Sequence, residues 1–169
     1  SLTGSTREEK LFFVHGPAAA GKSTFVEALK QTLGDYATTS DFETFLARSM
    51  VGGARNDIAR LAGARLVASI EVDQGKRLAE GLVKTITGGD TVAARFLYGE
   101  TFEYSPQFKL WLVANHAPRV RDDDDAIWRR ILRIPFEHGV KKADRDPALK
   151  EELRDVQRKW IAFRDANCA

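Results

Sequence analysis

The sequence predicts an α/β fold around a mostly parallel sheet, and three features carry that prediction. Apolar runs of strand length recur along the chain, amphipathic stretches of helical spacing alternate with them, and a glycine-bearing loop joins the first run to the first helix. Leu11-Phe12-Phe13-Val14 reads as a buried strand. After the loop, Phe25, Val26, Leu29 and Leu33 share one face of a helix that Gly34 stops. Ser40 and Glu43 have the spacing of a capping box for a short helix carrying Phe42, Phe45 and Leu46. Val51-Gly52-Gly53 reads as a loop, and the stretch from Ile58 to Leu61 as helical. Leu66 to Ile70 is a second buried strand, ending at Glu71.

Leu78, Leu82, Val83 and Ile86 fit a further helix, broken by Gly88-Gly89. Val92 to Tyr98 and Thr101 to Tyr104 flank Gly99-Glu100 and predict a hairpin. Lys109 to Ala114 is a third core strand, ending at Asn115, and Ile131 to Phe136 is a fourth. Asp146 and Pro147 make a favoured helix start, after which Leu149, Leu153, Val156, Trp160 and Phe163 recur at amphipathic helical spacing. That helix packs on this domain or opens another. The expected organisation is a tail or linker over residues 1–10, a core over 11–140 and a C-terminal helical segment over 141–169.

Composition narrows the class. A chain of 169 residues suits one compact domain, and 43% hydrophobic with 30% charged residues is ordinary for a globular protein. No apolar run approaches the roughly 20 residues of a membrane span, so no membrane partner is expected. Ser1 to Lys10 is polar and lacks the apolar core of a signal peptide, which makes a cytoplasmic setting the expectation. The single cysteine, Cys168, excludes an internal disulfide and a cysteine-cluster metal site. His15, His116 and His138 show no metal-ligand spacing and read as structural or surface residues. The net charge of +2, from 26 basic and 24 acidic side chains, does not describe a globally basic nucleic-acid binder. Any DNA contact must come from a local patch or from assembly.

The loop Gly16-Pro17-Ala18-Ala19-Ala20-Gly21-Lys22-Ser23 fits the P-loop, or Walker A, pattern at every fixed position, with a strand before it and a helix after it. Glycines let backbone N–H groups curl around phosphate oxygens, and the following helix presents its positive end to them. Gly16 to Thr24 is therefore the expected nucleotide-binding segment. Lys22 would neutralise the β- and γ-phosphates, and the Ser23 hydroxyl would ligate Mg²⁺. A second acidic site is needed for Mg²⁺ and water, and the apolar run ending at Ile70 delivers Glu71 with Asp73 two residues later. Either acid suits the metal shell or the attacking water; Glu71 is the better candidate for the metal. Asn115 ends another apolar strand, where a neutral amide can hydrogen-bond the γ-phosphate and the water without adding charge. Read singly, each signal has a plainer account: two solvated acids at a strand end, and an asparagine before a proline-containing turn.

Five segments in order raise the specificity. Beyond the loop these are Ser69-Ile70-Glu71-Val72-Asp73-Gln74-Gly75-Lys76-Arg77-Leu78, the run Lys84 to Asp90 with its continuation Ala94 to Glu100, Lys109 to Pro118, and Ile127-Trp128-Arg129-Arg130-Ile131-Leu132-Arg133-Ile134-Pro135-Phe136. Together they resemble the superfamily III helicases, in particular the helicase module of phage and plasmid primase–helicases. The resemblance implies an AAA+-like three-layer sandwich with an inserted β-hairpin, assembled as a hexameric ring with ATP between neighbours. It implies an ATP-dependent motor translocating on single-stranded DNA in replication, with ATP and Mg²⁺ as cofactors. A primase domain, in the same chain or in a partner, and a bacterial host's cytoplasm would go with it. Lys22, Ser23, Glu71 and Asn115 would act in cis, and Arg129 or Arg130 would reach a neighbour's site as an arginine finger. Such fingers contribute about 10³–10⁵ in rate in other NTPases.

The resemblance further implies that the hairpin near Tyr98-Gly99-Glu100 points into the ring channel. There Tyr98 would stack on a base and Arg95 contact phosphate, with Lys84 or Lys109 adding charge. Glu100 stands where a lysine is expected at the tip. Trp111, inside a core strand, is expected to pack rather than to stack on a base, and Asp122 to Asp125 to form a solvated loop. Family members usually carry a helical collar before the first strand. With about ten residues ahead of Leu11, the chain is expected to be a module of a longer protein or a shortened homologue. Two other functions fit the loop: a small P-loop kinase, and an ATP-binding DNA-loading module with little turnover. The segment from Gly88 to Asp90 and the Asn115 strand have no evident task in a kinase.

Overall fold

A computed structural model of the chain describes residues 3–47, 55–70, 77–117, 119–120 and 125–167. Val51-Gly52-Gly53, Glu71, Asp73 and Asp122 to Asp124 lie outside the described residues. Five strands form one sheet: β1 (Leu11–His15), β2 (Ala37–Thr39), β3 (Leu66–Ile70), β6 (Lys109–Ala114) and β7 (Ile131–Pro135). Their order is β2-β3-β6-β1-β7, and every pairing is parallel. β4 (Val92–Arg95) and β5 (Thr101–Tyr104) make a separate antiparallel hairpin. The helices are α1 (Lys22–Leu33), α2 (Asn56–Ala59), α3 (Glu80–Gly88), α4 (Asp125–Trp128) and α5 (Leu149–Asn167).

Alternation along the central strands builds a core on each face of the sheet. From β1, Leu11 and Phe13 join Leu110 and Leu112 against Ile58 of α2, Val83 and Ile86 of α3, Ile127 of α4 and Val92 and Ala94 of the hairpin. Val14 points the other way, with Leu66, Ala68, Trp111 and Val113, against Val26 and Leu33 of α1. Trp111 packs on Phe12 with ring centroids 4.2 Å apart. α5 lies on α1, where the Gln157 amide donates to the Ala28 carbonyl at 2.7 Å. The result is a layer of helix, sheet and helix.

Several elements differ from expectation, each for a local reason. Ser40 caps nothing: its N–H donates to the Ala68 carbonyl and extends the β2–β3 pairing. Asp41 takes the N-cap position of a single 3₁₀ turn, Phe42–Phe45, in place of the expected helix. Leu78 stays outside α3 because it forms a bridge with Leu46. The first hairpin strand stops at Arg95 rather than Tyr98, since Tyr98 turns to φ 61° and Gly99 N–H donates back to the Phe96 carbonyl. In α5 the predicted apolar face is not the buried one. Val156, Trp160 and Phe163 are exposed, while the polar Gln157 is buried. Residues 3–10, expected as a tail or linker, run along the amino ends of the strands. There Glu8 pairs with Lys109 at 2.6 Å, and Leu11 N–H donates to the Arg130 carbonyl at 2.8 Å.

Two loop glycines separate backbone strain from steric conflict. A Cβ on Gly16 (φ 147°) would stand 1.9 Å from the Phe136 carbonyl oxygen, whereas one on Gly21 (φ 86°) would meet nothing within 4 Å. Gly21→Ala therefore carries only the left-handed conformation, about 1–2 kcal/mol. Gly16→Ala must also push β7's end away and is expected to cost at least about 2 kcal/mol more. Urea denaturation of both variants checks this; equal midpoints would sink it.

Candidate functional site

Strand register places the site. β6 pairs with β1 so that Ala114 stands opposite His15, and with β3 so that Val113 stands opposite Ile70. Three parallel strands thus end level, and the segments leaving them share one edge of the sheet, where ligands of open parallel sheets bind. Gly16 follows β1 there, Asn115 follows β6, and Ile70 is the last residue of β3. A cavity of about 280 Å³ opens at this edge, lined by Ala18 to Thr24, Ile70, Val113, Ala114 and Asn115.

The loop's conformation follows from its sequence. Gly16, Ala19 and Gly21 all adopt positive φ, and Gly21 is the N-cap of α1 in the left-handed region. The first helical hydrogen bond runs from Phe25 N–H to the Gly21 carbonyl, at 2.9 Å. The N–H groups before it have no carbonyl one turn back to accept them. The C-terminal side of β7 braces the loop. Phe136 N–H donates to the His15 carbonyl at 2.7 Å, and Val140 N–H donates to the Ala19 carbonyl at 3.0 Å.

Lys22, the first residue of α1, is buried at 6% exposure, and its ammonium turns back into the loop. It donates to the carbonyls of Gly16 and Pro17 at 2.7 Å each and to Asn115 Oδ1 at 2.9 Å. All three acceptors are neutral. Burial lowers the Lys22 pKa below its ordinary value, so the charge is held at a cost. His15, beneath the loop, also has a lowered pKa, through burial first and then Arg133 and Lys22. Ser23 is exposed on the first turn beside it. This is a cation in a cradle of backbone and amide groups, suited to an anion of several oxygens.

Lys22, Ser23, Thr24 and Asn115 therefore meet in one cavity. Glu71 and Asp73 lie outside the described residues, and among the described residues no cluster of three His, Cys, Asp or Glu side chains could hold a metal. Arg129 and Arg130 sit at the other end of the sheet. Arg130 is buried, with Nη1 donating to the Ala126 carbonyl at 2.7 Å, and both arginines pair with Glu9. Arg129 keeps an exposed guanidinium, at 64%.

Of the expected DNA contacts, Tyr98 is 99% exposed on the hairpin loop, with Phe96 and Leu97 also exposed beside it. Arg95 is exposed at the end of β4. Lys84 lies half-buried on α3, and Lys109 is buried against Glu8 at the start of β6, away from the hairpin loop. The hairpin is tied to the body by the Tyr104 hydroxyl, which donates to the Ile58 carbonyl at 2.8 Å. Burial, helped by Asp57, pushes its pKa up to about 12. Sequence reasoning missed this anchor, Glu9, and the wall that α5 adds. A second cavity of about 200 Å³ shares Ser23, Thr24 and Ile70 with the first and is closed by Leu153, Arg154 and Gln157.

Fold and cavity define an α/β protein with a buried cation where a glycine-bearing loop meets a helix at the carboxyl edge of a parallel sheet. The chain belongs to the family of unknown function DUF5906, whose model matches residues 14–130. Residues 125–169, which run from α4 through β7 to α5, also match the model of the lysozyme inhibitor LprI. Among curated proteins, the chain is 36% identical over 153 residues to the helicase candidate L207/L206 of Acanthamoeba polyphaga mimivirus, covering 89% of this chain and 16% of that protein. It is 31% identical over 142 residues to the helicase candidate 022R of Frog virus 3 (isolate Goorha), covering 81% of this chain and 15% of that one. A Sputnik virophage helicase candidate, V13, is 25% identical over 163 residues, at coverages of 92% and 21%. The chain thus spans about a fifth or less of the length of these relatives. Among solved structures, the apo C-terminal region of NrS-1 superposes with a TM-score of 0.68 at 15% identity, covering 89% of this chain and 35% of that one. That likeness is one of fold.

The cradle makes a direct prediction. Inorganic triphosphate should bind the chain, and Lys22→Ala should weaken it by about ten- to a hundred-fold, the loss of one charge-assisted contact set. Calorimetric titration measures it; equal affinity in the variant would show that Lys22 does not face the anion.

Proposed function

We propose that this chain is the ATP-hydrolysing module of a superfamily III type helicase that moves on single-stranded DNA during replication. The observation that carries the reading is the Lys22 ammonium, held by neutral acceptors at a P-loop sequence, with Asn115 2.9 Å away. A triphosphate would replace the Gly16 and Pro17 carbonyls as the partners of Lys22, while the free N–H groups at the start of α1 take its remaining oxygens. Ser23 and Glu71 are the residues to hold Mg²⁺, which when bound neutralises charge on the β- and γ-phosphate oxygens. Asn115 follows β6, the strand between β1, which leads into the loop, and β3, which leads to Glu71. Its amide is suited to orient the attacking water beside the γ-phosphate. Glu71 or Asp73 would then take that water's proton.

Arg129 and Arg130 precede β7, and the loop follows β1, so five strand residues, roughly 16 Å, separate them within one copy. Neither arginine serves its own chain's phosphates, and any part they play in hydrolysis comes from a neighbouring copy. Of the two, Arg129 has the exposed guanidinium, and we assign it the finger's role in a ring. The helicase names of the viral relatives support this class, since those proteins share 31–36% identity with the chain over most of its length.

The hairpin loop is the DNA contact in this reading. Phe96, Leu97 and Tyr98 are exposed there, so the grip rests on stacking more than on phosphate charge.

Two measurements test the proposal. Specific ATPase activity should rise with protein concentration and with single-stranded DNA, and Arg129→Ala should lower it by about 10³-fold while nucleotide binding survives. Activity independent of concentration and of Arg129, or phosphate transfer to an acceptor other than water, would overturn the shared-site motor. Separately, Tyr98→Ala should weaken DNA binding by about ten-fold or more. The slope of affinity against salt should stay the same, because no phosphate contact is removed. A flattened slope with little loss at low salt would show that the hairpin grips the backbone instead.

A further inference from the structure

We infer that Glu9 is the positioning residue for the Arg129 guanidinium, an inference that rests on Arg129 acting at a neighbour's phosphates. The two arginines are sequence neighbours with opposite fates. Arg130 is buried at the turn between α4 and β7, fixed by its Nη1 on the Ala126 carbonyl and by its own carbonyl under Leu11 N–H. Arg129 points outward on the same turn. One carboxylate oxygen, Glu9 Oε2, accepts a hydrogen bond from Arg129 Nη2 at 3.1 Å and lies 3.0 Å from Arg130 Nη2 as an ion pair. The buried arginine thus anchors the carboxylate, and the carboxylate holds the exposed arginine.

The backbone around Glu9 is bent to make this possible. Glu9 adopts φ 51°, a left-handed conformation unfavourable for a residue with a Cβ, in a turn closed by its N–H on the Thr6 carbonyl. Next to it, the Lys10 ammonium donates to the Arg129 carbonyl. Arg129 is therefore held at its backbone by Lys10 and at its head by Glu9. A surface ion pair by itself fixes little, but here one partner is tied to a buried group. Holding the long side chain in advance removes the ordering loss that would otherwise accompany its insertion into a neighbour's site.

The test compares the wild type with Glu9→Gln, Arg129→Ala and the double variant at saturating protein and ATP. Glu9→Gln is expected to lower kcat by about ten- to a hundred-fold, with KM for ATP and binding of a fluorescent ATP analogue within about two-fold. In the Arg129→Ala background it should cost nothing further. Full kcat in Glu9→Gln while Arg129→Ala is inactive overturns the inference and leaves the motor reading intact. An equal loss in the Arg129→Ala background assigns Glu9 a purely structural part and also overturns it. Unchanged kcat in Arg129→Ala itself, or no hydrolysis at any concentration, brings down the motor reading and this inference together. Should Glu9→Gln fail to fold, Glu9→Met/Arg130→Met removes both charges and still leaves Arg129 without its anchor. The same kcat loss is expected from it, and full kcat in that variant overturns the inference.

Discussion

β6 has β1 on one side and β3 on the other, and its register to both decides what can meet at the carboxyl edge of the sheet. With Ala114 beside His15 and Val113 beside Ile70, the next residue of β6 is Asn115, level with the loop that begins at Gly16. A slip of one residue would move Asn115 by roughly 3.3 Å and turn it to the other face. The 2.9 Å contact between Lys22 and Asn115 would then be lost. All six residues of β6 are buried, so apolar packing on both faces locks this register. The polar chemistry at the edge depends on apolar residues that take no part in it.

A parallel sheet has two chemically different ends, and this chain places cations at both. The carboxyl end holds Lys22 in its cradle; the amino end holds Arg129, Arg130 and Lys10 around Glu9. The N-terminal segment joins the amino end through Glu8, Glu9 and Lys10, so it helps to form the second cluster. The hairpin forms a third station, separate from the sheet and tied to α2 through Tyr104. On the proposed reading these are the phosphate site, the surface offered to a neighbour and the DNA contact.

Which of these features the sequence disclosed follows from the range of the interactions that make them. β3 and β6 were legible residue for residue, because unbroken apolar runs with polar residues after them describe buried parallel strands. The loop was legible because left-handed turns demand glycines at fixed spacing. Glu9 was not, since its partners lie 120 or more positions away and nothing periodic marks them. The difference between Arg129 and Arg130 was equally hidden. It arises where the chain turns from α4 into β7, burying one side chain and exposing its neighbour. Tyr98 was read as the last residue of the first hairpin strand, but the turn that Gly99 N–H closes on the Phe96 carbonyl takes it out of the strand. In α5 the apolar spacing announced a helix without revealing which face meets α1, since the buried contact is made by a glutamine.

The two cation sites bear on each other through charge. Lys22 is buried among acceptors that carry no formal charge, and a buried ammonium so placed favours an anion over the neutral groups it now holds. At the other end, two arginines pair with one carboxylate, that of Glu9. A triphosphate bound at Lys22 brings more negative charge than one lysine neutralises, and the surplus faces outward from the carboxyl edge. On the proposed reading, the surface that would answer it on a second copy is the amino-end cluster. One end meeting the other is a heterologous contact, which closes into a ring when the rotation between copies allows it. On the proposed reading a nucleotide between subunits would do more than occupy a site. Its charge would draw two surfaces of like sign together, and its hydrolysis would weaken that attraction, which is what a motor needs from its fuel.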